Sequence, residues 1–259
     1  MKIIIAILLL SGIGLVLGLM LAFASKAFAV PTDEKTEAIR DALPGANCGG
    51  CGYSGCDGYA AALSKGEAEP NLCTAGGADT AQKLSEVLGV EVTAIKKYSV
   101  IACNKCNAAS EFNYDGAASC AAAALLNGGP IACKSGCIGF GDCVSVCEFN
   151  AIKVENGHAV ICEDICTGCG KCVKVCPKGI IKPVEAKKVA FVNCSNTQKG
   201  AVARKNCTAA CIGCKKCQTV CEFNAITVEN NLATVNRELC TGCGKCAASC
   251  PQKCISLLR

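Results

Sequence analysis

The sequence predicts an α+β protein in three parts: an N-terminal transmembrane helix, a small four-cysteine domain, and two tandem units built on repeated cysteine motifs. Three observations support this prediction. The chain of 259 residues contains 27 cysteines but one histidine and no tryptophan, a composition typical of disulfide scaffolds and metal proteins. Residues 3–24 carry no charge. From residue 133 onward the sequence repeats itself, so that Cys133 recurs as Cys207 and Cys166 as Cys240.

The uncharged run is long enough to cross a bilayer as one helix. We expect an uncleaved anchor over residues 1–30. Ala27-Phe28-Ala29 is similar to a signal-peptide cleavage site, but signal-peptide cores are shorter than this run. Gly14 and Gly18 lie on one face, where a partner helix could approach closely. The run contains no carboxylate, which argues against ion transport by this helix.

Residues 31–100 form the predicted four-cysteine domain, in which Thr32 is a candidate helix N-cap and Pro44-Gly45 ends the helix. Glycines surround a C-x2-C-x4-C-x16-C spacing and let the backbone wrap closely around an inorganic core. We interpret its cysteines as [4Fe–4S] ligands, with zinc as the weaker alternative. This Cys48 set consists of Cys48, Cys51, Cys56 and Cys73. Two predicted helices and an extended segment follow, over Gly58–Leu63, Asp79–Leu88 and Val90–Tyr98.

Three later runs have the spacing C-x2-C-x2-C-x3-C, in which three thiolates hold one cluster and the fourth binds the neighbouring cluster. Pro177 and Pro251 follow two of them, as in bacterial two-cluster ferredoxins. The runs are Cys166/Cys169/Cys172/Cys176, Cys211/Cys214/Cys217/Cys221 and Cys240/Cys243/Cys246/Cys250. A fourth run, Cys137/Cys143/Cys147, has Phe140 in place of one cysteine. The spacing favours [4Fe–4S] clusters over zinc, because crossed runs that close on Cys-Pro are rare at zinc sites.

Crossed ligation predicts four cysteine sets in this region, named here by their first motif cysteine. The Cys211 set is Cys211, Cys214, Cys217 and Cys250. The Cys240 set is Cys240, Cys243, Cys246 and Cys221, and the Cys166 set is Cys166, Cys169, Cys172 and Cys147. The Cys137 set has Cys137, Cys143 and Cys176 and is one ligand short. With the Cys48 set, the sequence predicts at least five [4Fe–4S] sites.

Eight cysteines stay outside these sets: Cys103, Cys106, Cys120, Cys133, Cys162, Cys194, Cys207 and Cys254. Cys133 is nearest in sequence to the incomplete Cys137 set. Alternatively, the first four of the eight form a further cluster and leave a three-iron site at Phe140. Cys162 and Cys254 are expected to be small buried residues. The spacing is compatible with both arrangements.

Each repeat is predicted to be a two-cluster ferredoxin-like unit of short strands and helical turns. Glu-Phe-Asn-Ala-Ile occurs in both repeats and is followed by two apolar runs around a turn, a β-hairpin pattern. We place the units at 101–183 and 184–259, with Lys182–Lys188 as the linker. Cores this small depend on their metal clusters for stability.

The order of these parts resembles the B subunit of the Rnf complex, in its long form from anaerobic bacteria. The stretches 45–56 and 199–205 carry the closest similarity, whereas Cys106 is not expected from it. The Rnf complex is a membrane-bound, ion-translocating ferredoxin:NAD oxidoreductase. The resemblance implies that the Cys48 set holds one cluster and that the chain is one component of a translocase. It also implies other membrane and peripheral subunits and reduced soluble ferredoxin as partners, with Na+ or H+ as the exported ion.

A series of clusters indicates electron transfer, so we expect no catalytic side chain, and His158 is expected to have a packing role. Cysteines that hold iron must stay reduced, which places the Fe–S domains on the cytoplasmic side of the cell membrane. The sequence has no strand-linked G-x-G-x-x-G and no Walker A motif, so nicotinamide and flavin are expected on other subunits. The alternatives are a stand-alone polyferredoxin or Fe–S oxidoreductase with its own catalytic cluster, seated at Phe140, and a zinc scaffold.

The C-terminal part is basic, since residues 101–259 contain 18 basic and 11 acidic residues. This excess offsets the negative charge of thiolate-bound clusters and provides a surface for an acidic ferredoxin. The lysines proposed for that surface are Lys171, Lys174, Lys178, Lys187, Lys188, Lys215 and Lys216. Since no aromatic residues are interleaved with the bases, we do not expect nucleic-acid binding. Electrons are expected to arrive at the ferredoxin-like units and leave from the Cys48 set near the bilayer.

Overall fold

The computed structural model describes residues 2–27, 33–104 and 108–258, with side chains described only for residues 11–24 of the first range. Helix α1 spans Lys2–Ala27, and its large apolar side chains between Ile13 and Phe23 are exposed. Among the described residues, no helix combines the length and apolar character needed to cross a membrane. The predicted anchor and its cleavage-site alternative extend beyond the described residues, and Thr32 and Cys106 lie outside them.

Three helices build the four-cysteine domain: α2 (Glu34–Ala42), α3 (Cys56–Ser64) and α4 (Gly77–Leu88). They confirm the helices predicted over Gly58–Leu63 and Asp79–Leu88. The fully buried side chains of Ile39, Tyr59 and Leu84 meet at the centre of the domain. The Tyr59 hydroxyl donates to the carbonyl of Glu69 at 2.7 Å and accepts from the amide of Leu72 at 3.2 Å. These bonds hold the segment that leads to Cys73.

The first ferredoxin-like unit pairs its outer strands with each other and its inner strands as a hairpin. Its elements are β1 (Lys97–Ile101), α5 (Cys120–Leu125), α6 (Asp142–Ser145), β2 (Ile152–Glu155), β3 (His158–Ile161), α7 (Lys171–Val175) and β4 (Ile181–Glu185). β1 pairs antiparallel with β4, and β2 with β3. Asn156 and Gly157 at the hairpin turn have φ values of 48° and 74°, as a type I′ turn requires. The predicted hairpin is confirmed.

The second unit has the same plan. Its elements are β5 (Ala190–Val192), α8 (Gly200–Asn206), α9 (Lys216–Thr219), β6 (Ile226–Glu229), β7 (Leu232–Val235), α10 (Lys245–Ser249) and β8 (Ile255–Leu257). β5 pairs antiparallel with β8, and β6 forms a hairpin with β7. The sequence repeat is therefore also a repeat of strand pairing.

The strand pairing places the start of the first unit before the predicted boundary at residue 101. β1 begins at Lys97 and aligns Tyr98 with Val184 on β4. The extended segment predicted over Val90–Tyr98 becomes a strand only at its end, and β4 occupies the first part of the predicted linker Lys182–Lys188. Local sequence patterns do not reveal this pairing, because the two strands are far apart in the chain.

A shared hydrophobic core joins the two units. Tyr98, Val100 and Val184 of the first unit pack with Val189, Phe191 and Leu258, which flank the strands of the second. Cys166 and Cys240 are partly buried against this core, one from each unit. The core therefore separates two equivalent cysteine sets by a single layer of side chains.

Candidate metal centres

The Cys211 set lines one cavity in the second unit. Cys211, Cys214, Cys217 and Cys250 surround a space of about 330 Å³. Lys215, in the left-handed conformation with a φ of 62°, turns the chain from Cys214 into α9. Glycines occupy the equivalent positions 141, 170 and 244, each before a short helix that carries the third motif cysteine. This turn curls the three motif cysteines around the cavity.

The Cys240 set lines a second cavity of about 310 Å³, to which Cys221 contributes together with Cys240, Cys243 and Cys246. The structure thus brings together the four residues that crossed ligation predicts. Cys240 Sγ accepts the amide hydrogen of Ala190 at 3.3 Å, which ties the set to β5.

The Cys48 set lines a cavity of about 330 Å³ in the four-cysteine domain. The amide of Cys56 donates to Asn47 Oδ1 at 2.8 Å, which fixes the N-terminus of α3 against the loop that carries Cys48 and Cys51. Burial is the main cause that raises the pKa of Cys73, and the other three cysteines of the set raise it further. The four predicted residues are therefore close together.

The Cys166 set lies beside β1. Ser99 donates its amide hydrogen to Cys166 Sγ at 3.4 Å, and its hydroxyl lies 3.7 Å from Cys172 Sγ. Burial raises the pKa of Cys172, although a hydrogen bond with Ser99 lowers it, and Cys166, Cys169 and Cys147 contribute further increases. The sequence pattern did not single out Ser99, because its role depends on where β1 packs.

The Cys137 set lines a cavity of about 320 Å³ with a cysteine that the spacing left unassigned. Cys137, Cys143 and Cys176 share this cavity with Cys120, the first residue of α5. Burial raises the pKa of Cys143 to about 12, and the next largest causes are the neighbouring Cys137 and Cys120. Phe140, at the position of the absent cysteine, stacks at 5.4 Å from the ring of Tyr114.

Two of the remaining cysteines support the first motif cysteine of each unit. Cys103 Sγ accepts the amide hydrogen of Cys137 at 3.5 Å, and Cys194 Sγ accepts that of Cys211 at 3.3 Å. Both follow the first strand of their unit by two residues. Cys207 contributes to the raised pKa of Cys194, after burial and Cys211. Cys103 and Cys194 are therefore structural equivalents.

Cys162 and Cys254 differ from each other. The prediction that both are buried is wrong for Cys162, which is exposed just after β3. Cys254 is buried as predicted, but it lines the cavity of the Cys211 set and lies 3.6 Å from Cys250 Sγ. A hydrogen bond from Cys254 lowers the pKa of Cys211 to about 6, against the opposing effect of burial. His158 opens β3 and lines a cleft between the two units.

The residues present fit iron–sulfur clusters. Four cavities of similar size, about 310–330 Å³, are each lined by four or five cysteines. Backbone amides donate to the sulfur atoms of Cys166, Cys240 and Cys103, as at cluster sites where such bonds tune the potential. Among the described residues, no group of three or more His, Cys, Asp or Glu side chains is arranged around a single metal ion. The thiols instead surround larger spaces.

Comparisons with known proteins agree with this arrangement. Models of 4Fe-4S dicluster domains match residues 133–180, 165–225 and 201–257, and the model of a putative Fe-S cluster family matches residues 43–75. These matches confirm several 4Fe–4S ferredoxin-like domains and an Fe–S domain in the predicted order.

Curated relatives resemble nearly the whole chain, and three of them are B subunits of ion-translocating complexes. The chain is 42% identical over 247 residues to that of the Na(+)-translocating ferredoxin:NAD(+) oxidoreductase complex of Acetobacterium woodii, covering 94% of this chain and 74% of the relative. It is 43% identical over 248 residues to that of the proton-translocating ferredoxin:NAD(+) oxidoreductase complex of Clostridium ljungdahlii, covering 92% and 87%. The identity to that of the ion-translocating oxidoreductase complex of Methanosarcina acetivorans is 38% over 256 residues, covering 97% of each.

This chain belongs to the B-subunit family of ion-translocating oxidoreductase complexes. The resemblance to the Rnf B subunit is thereby confirmed. The names of two relatives give different ions, Na(+) and proton, so family membership leaves the ion open. In a chain of the B-subunit family, the cysteine sets described above are the candidate electron carriers.

Proposed function

We propose that the chain is the iron–sulfur electron-transfer subunit of a membrane-bound, ion-translocating ferredoxin:NAD oxidoreductase complex. The observation that carries this proposal is a series of neighbouring four-cysteine sets in a chain of the B-subunit family. When bound, [4Fe–4S] clusters supply one-electron transfer. The protein holds them at fixed separations and surrounds their sulfur atoms with amide donors.

The cysteine sets form a continuous row through the protein. The Cys211 and Cys240 sets share the core of the second unit, which contains Cys211 and Cys246. The core between the units then separates Cys240 from Cys166. At the far end, the backbone of Gly50 lies against Cys169, which brings the Cys48 set next to the Cys166 set. This row supports transfer from the second unit through the first to the four-cysteine domain.

Ferredoxin is proposed to dock on the second unit near Cys214. Cys214, Lys215 and Lys216 are exposed side by side at the edge of the Cys211 set. Three lysines predicted for this surface are used within the chain. Lys171 pairs with Glu148, Lys178 donates to the carbonyls of Gly128 and Lys134, and Lys174 reaches the backbone beside Gly49. The proposed docking lysines are therefore Lys187, Lys188, Lys215 and Lys216.

The proposed location is the cell membrane, with α1 as a single span and the Fe–S domains in the cytoplasm. The support is the uncharged run over residues 3–24 and the exposed apolar side chains of α1. Gly14 and Gly18 have open space around them, as a helix face available to partner subunits requires. Removal of residues 1–30 should give a soluble brown protein that dithionite reduces but that no longer assembles. Full co-purification with a membrane complex would contradict an assembly role for α1.

The cofactor content tests the proposal as a whole. Anaerobically purified chain should contain about 20 iron and about 20 sulfide, four of each for every one of the five cysteine sets, with visible absorption that dithionite bleaches. Colourless protein that contains zinc would contradict the proposal. Turnover of a small substrate by the isolated chain would favour a self-contained enzyme instead.

A further inference from the structure

We infer that Cys120 is the fourth ligand of the Cys137 set, so that this set holds a complete [4Fe–4S] cluster despite Phe140. The inference rests on the proposed iron–sulfur function. Cys120 lines the same cavity as Cys137, Cys143 and Cys176. That cavity measures about 320 Å³, and the equivalent cavity of the Cys211 set, which has a complete motif, measures about 330 Å³. Four thiols thus surround a space of the same size in both units.

The motif position itself has acquired a packing role. Phe140 corresponds in the repeat to Cys214, which lines the cavity of the second unit. A phenyl ring has no donor atom for iron. Its centroid lies 5.4 Å from that of Tyr114, a normal separation for an aromatic pair. Tyr114 belongs to the segment between β1 and the first motif, and the same segment contains Cys120. One contact thus links the lost cysteine to the part of the chain that supplies another.

Asp142 fixes the position of Cys120 relative to the motif. Its carboxylate accepts the amide hydrogens of Cys120 at 2.8 Å and Ala121 at 2.9 Å, and the Ser119 hydroxyl at 3.0 Å. Asp142 immediately precedes Cys143, so the carboxylate ties the N-terminus of α5 to the backbone of a motif cysteine. Lys216 stands at this position in the second unit. The aspartate therefore occurs in the unit that needs an external ligand.

Two further contacts hold the same segment against the cavity. Cys120 and Ala123 are buried with Ile138, a residue of the motif itself. Beyond α5, the ammonium group of Lys178 donates to the carbonyl of Gly128, next to the Cys176-Pro177 side of the set. The position of Cys120 thus depends on contacts to both ends of the Cys137 set.

Ligation by Cys120 involves no redox change. The thiol releases its proton to solvent, and Sγ forms one bond to the iron atom that Cys137, Cys143 and Cys176 leave without a cysteine. This arrangement replaces Cys133 as the candidate fourth ligand. It also removes Cys120 from the separate cluster considered for Cys103, Cys106, Cys120 and Cys133.

The test compares full-length, anaerobically purified variants. Cys120→Ala should lose one iron and show the EPR signal of an oxidised three-iron cluster, which has an unpaired spin, or should lose all four irons of the set. Cys133→Ala and the exposed-cysteine control Cys162→Ala should keep the wild-type iron content. Wild-type iron content without a three-iron signal in Cys120→Ala would overturn the inference. A wild-type chain without iron and sulfide would instead contradict the proposed function.

A second variant restores the motif. In the Cys120→Ala/Phe140→Cys double variant, the cysteine returns to the position of Cys214, and we expect the wild-type iron count and no three-iron signal. If Cys120→Ala alone does not fold, recovery of folded, four-iron protein in the double variant supports ligation by Cys120. Failure of the double variant to recover the iron count would contradict it.

Discussion

Gly50 and Cys169 meet backbone to backbone, since a Cβ atom on Gly50 would lie 3.1 Å from both the Cα atom and the carbonyl oxygen of Cys169. This contact joins the four-cysteine domain to the first ferredoxin-like unit. Cys169 is partly covered, whereas Cys243 is exposed at the equivalent position of the second unit. Glycine at position 50 therefore permits the close approach of the Cys48 and Cys166 sets.

Gly50→Val should separate these two sets. Overpacking of such a contact costs about 1–3 kcal/mol, which the domains relieve by moving apart. We expect slower electron arrival at the Cys48 set in stopped-flow reduction by ferredoxin, with unchanged reduction of the ferredoxin-like units. Gly52→Ala is the control, because Gly52 has a φ of 92° but open space around it. Equal rates in wild type and Gly50→Val would show that the contact does not limit transfer.

Gly168→Ala should destabilise the first unit more than Gly170→Ala. The φ values are 69° at Gly168 and 76° at Gly170, so alanine strains either position by about 1–2 kcal/mol. At Gly168 the added Cβ would also lie 2.6 Å from the carbonyl oxygen of Lys97, whereas at Gly170 it meets open space. The rate at which cluster absorbance bleaches in urea measures the difference. Equal bleaching rates would mean that docking of the motif on β1 does not stabilise the unit.

The residues that form the sets and the hairpins could be predicted from sequence, because their signals are local. Cysteine spacing defines each motif, and the residues after Glu155 and Glu229 favour the left-handed conformations that hairpin turns need. The β1–β4 and β5–β8 pairs could not be predicted, since antiparallel pairing of distant strands leaves no local period. The role of Cys120 was missed for a related reason. Asp142 brings it to the motif through hydrogen bonds that spacing does not encode.

Lys215→Gly/Lys216→Gln should slow reduction by ferredoxin at low salt. Glycine suits the φ of 62° at position 215, so the variant removes two exposed charges without straining α9. Electrostatic steering raises association rates by about 10-fold or more, and salt screens it. We expect a several-fold slower second-order rate at low ionic strength, a smaller effect at high ionic strength, and unchanged reduction by dithionite.

Lys153→Gln is the matched control for the lysine variant. Lys153 is exposed on the first-unit hairpin and is ion-paired with Glu155, so its loss should leave the ferredoxin rate unchanged. If the Lys215/Lys216 variant reacts like wild type at low salt, these lysines only offset the charge of the clusters.

The central claim is that electrons arrive at the ferredoxin-like units and leave through the Cys48 set. Cys51→Ala in the assembled membrane complex tests it most directly, because Cys51 belongs to the set beside Gly50 and lies outside both units. Two quantities are measured in one preparation: the bleaching of this chain's clusters when reduced ferredoxin is added, and ferredoxin-dependent NAD reduction. The account predicts that bleaching persists, reduced only by the contribution of one cluster, while NAD reduction stops. Loss of bleaching by ferredoxin, or NAD reduction at the wild-type rate, would contradict it.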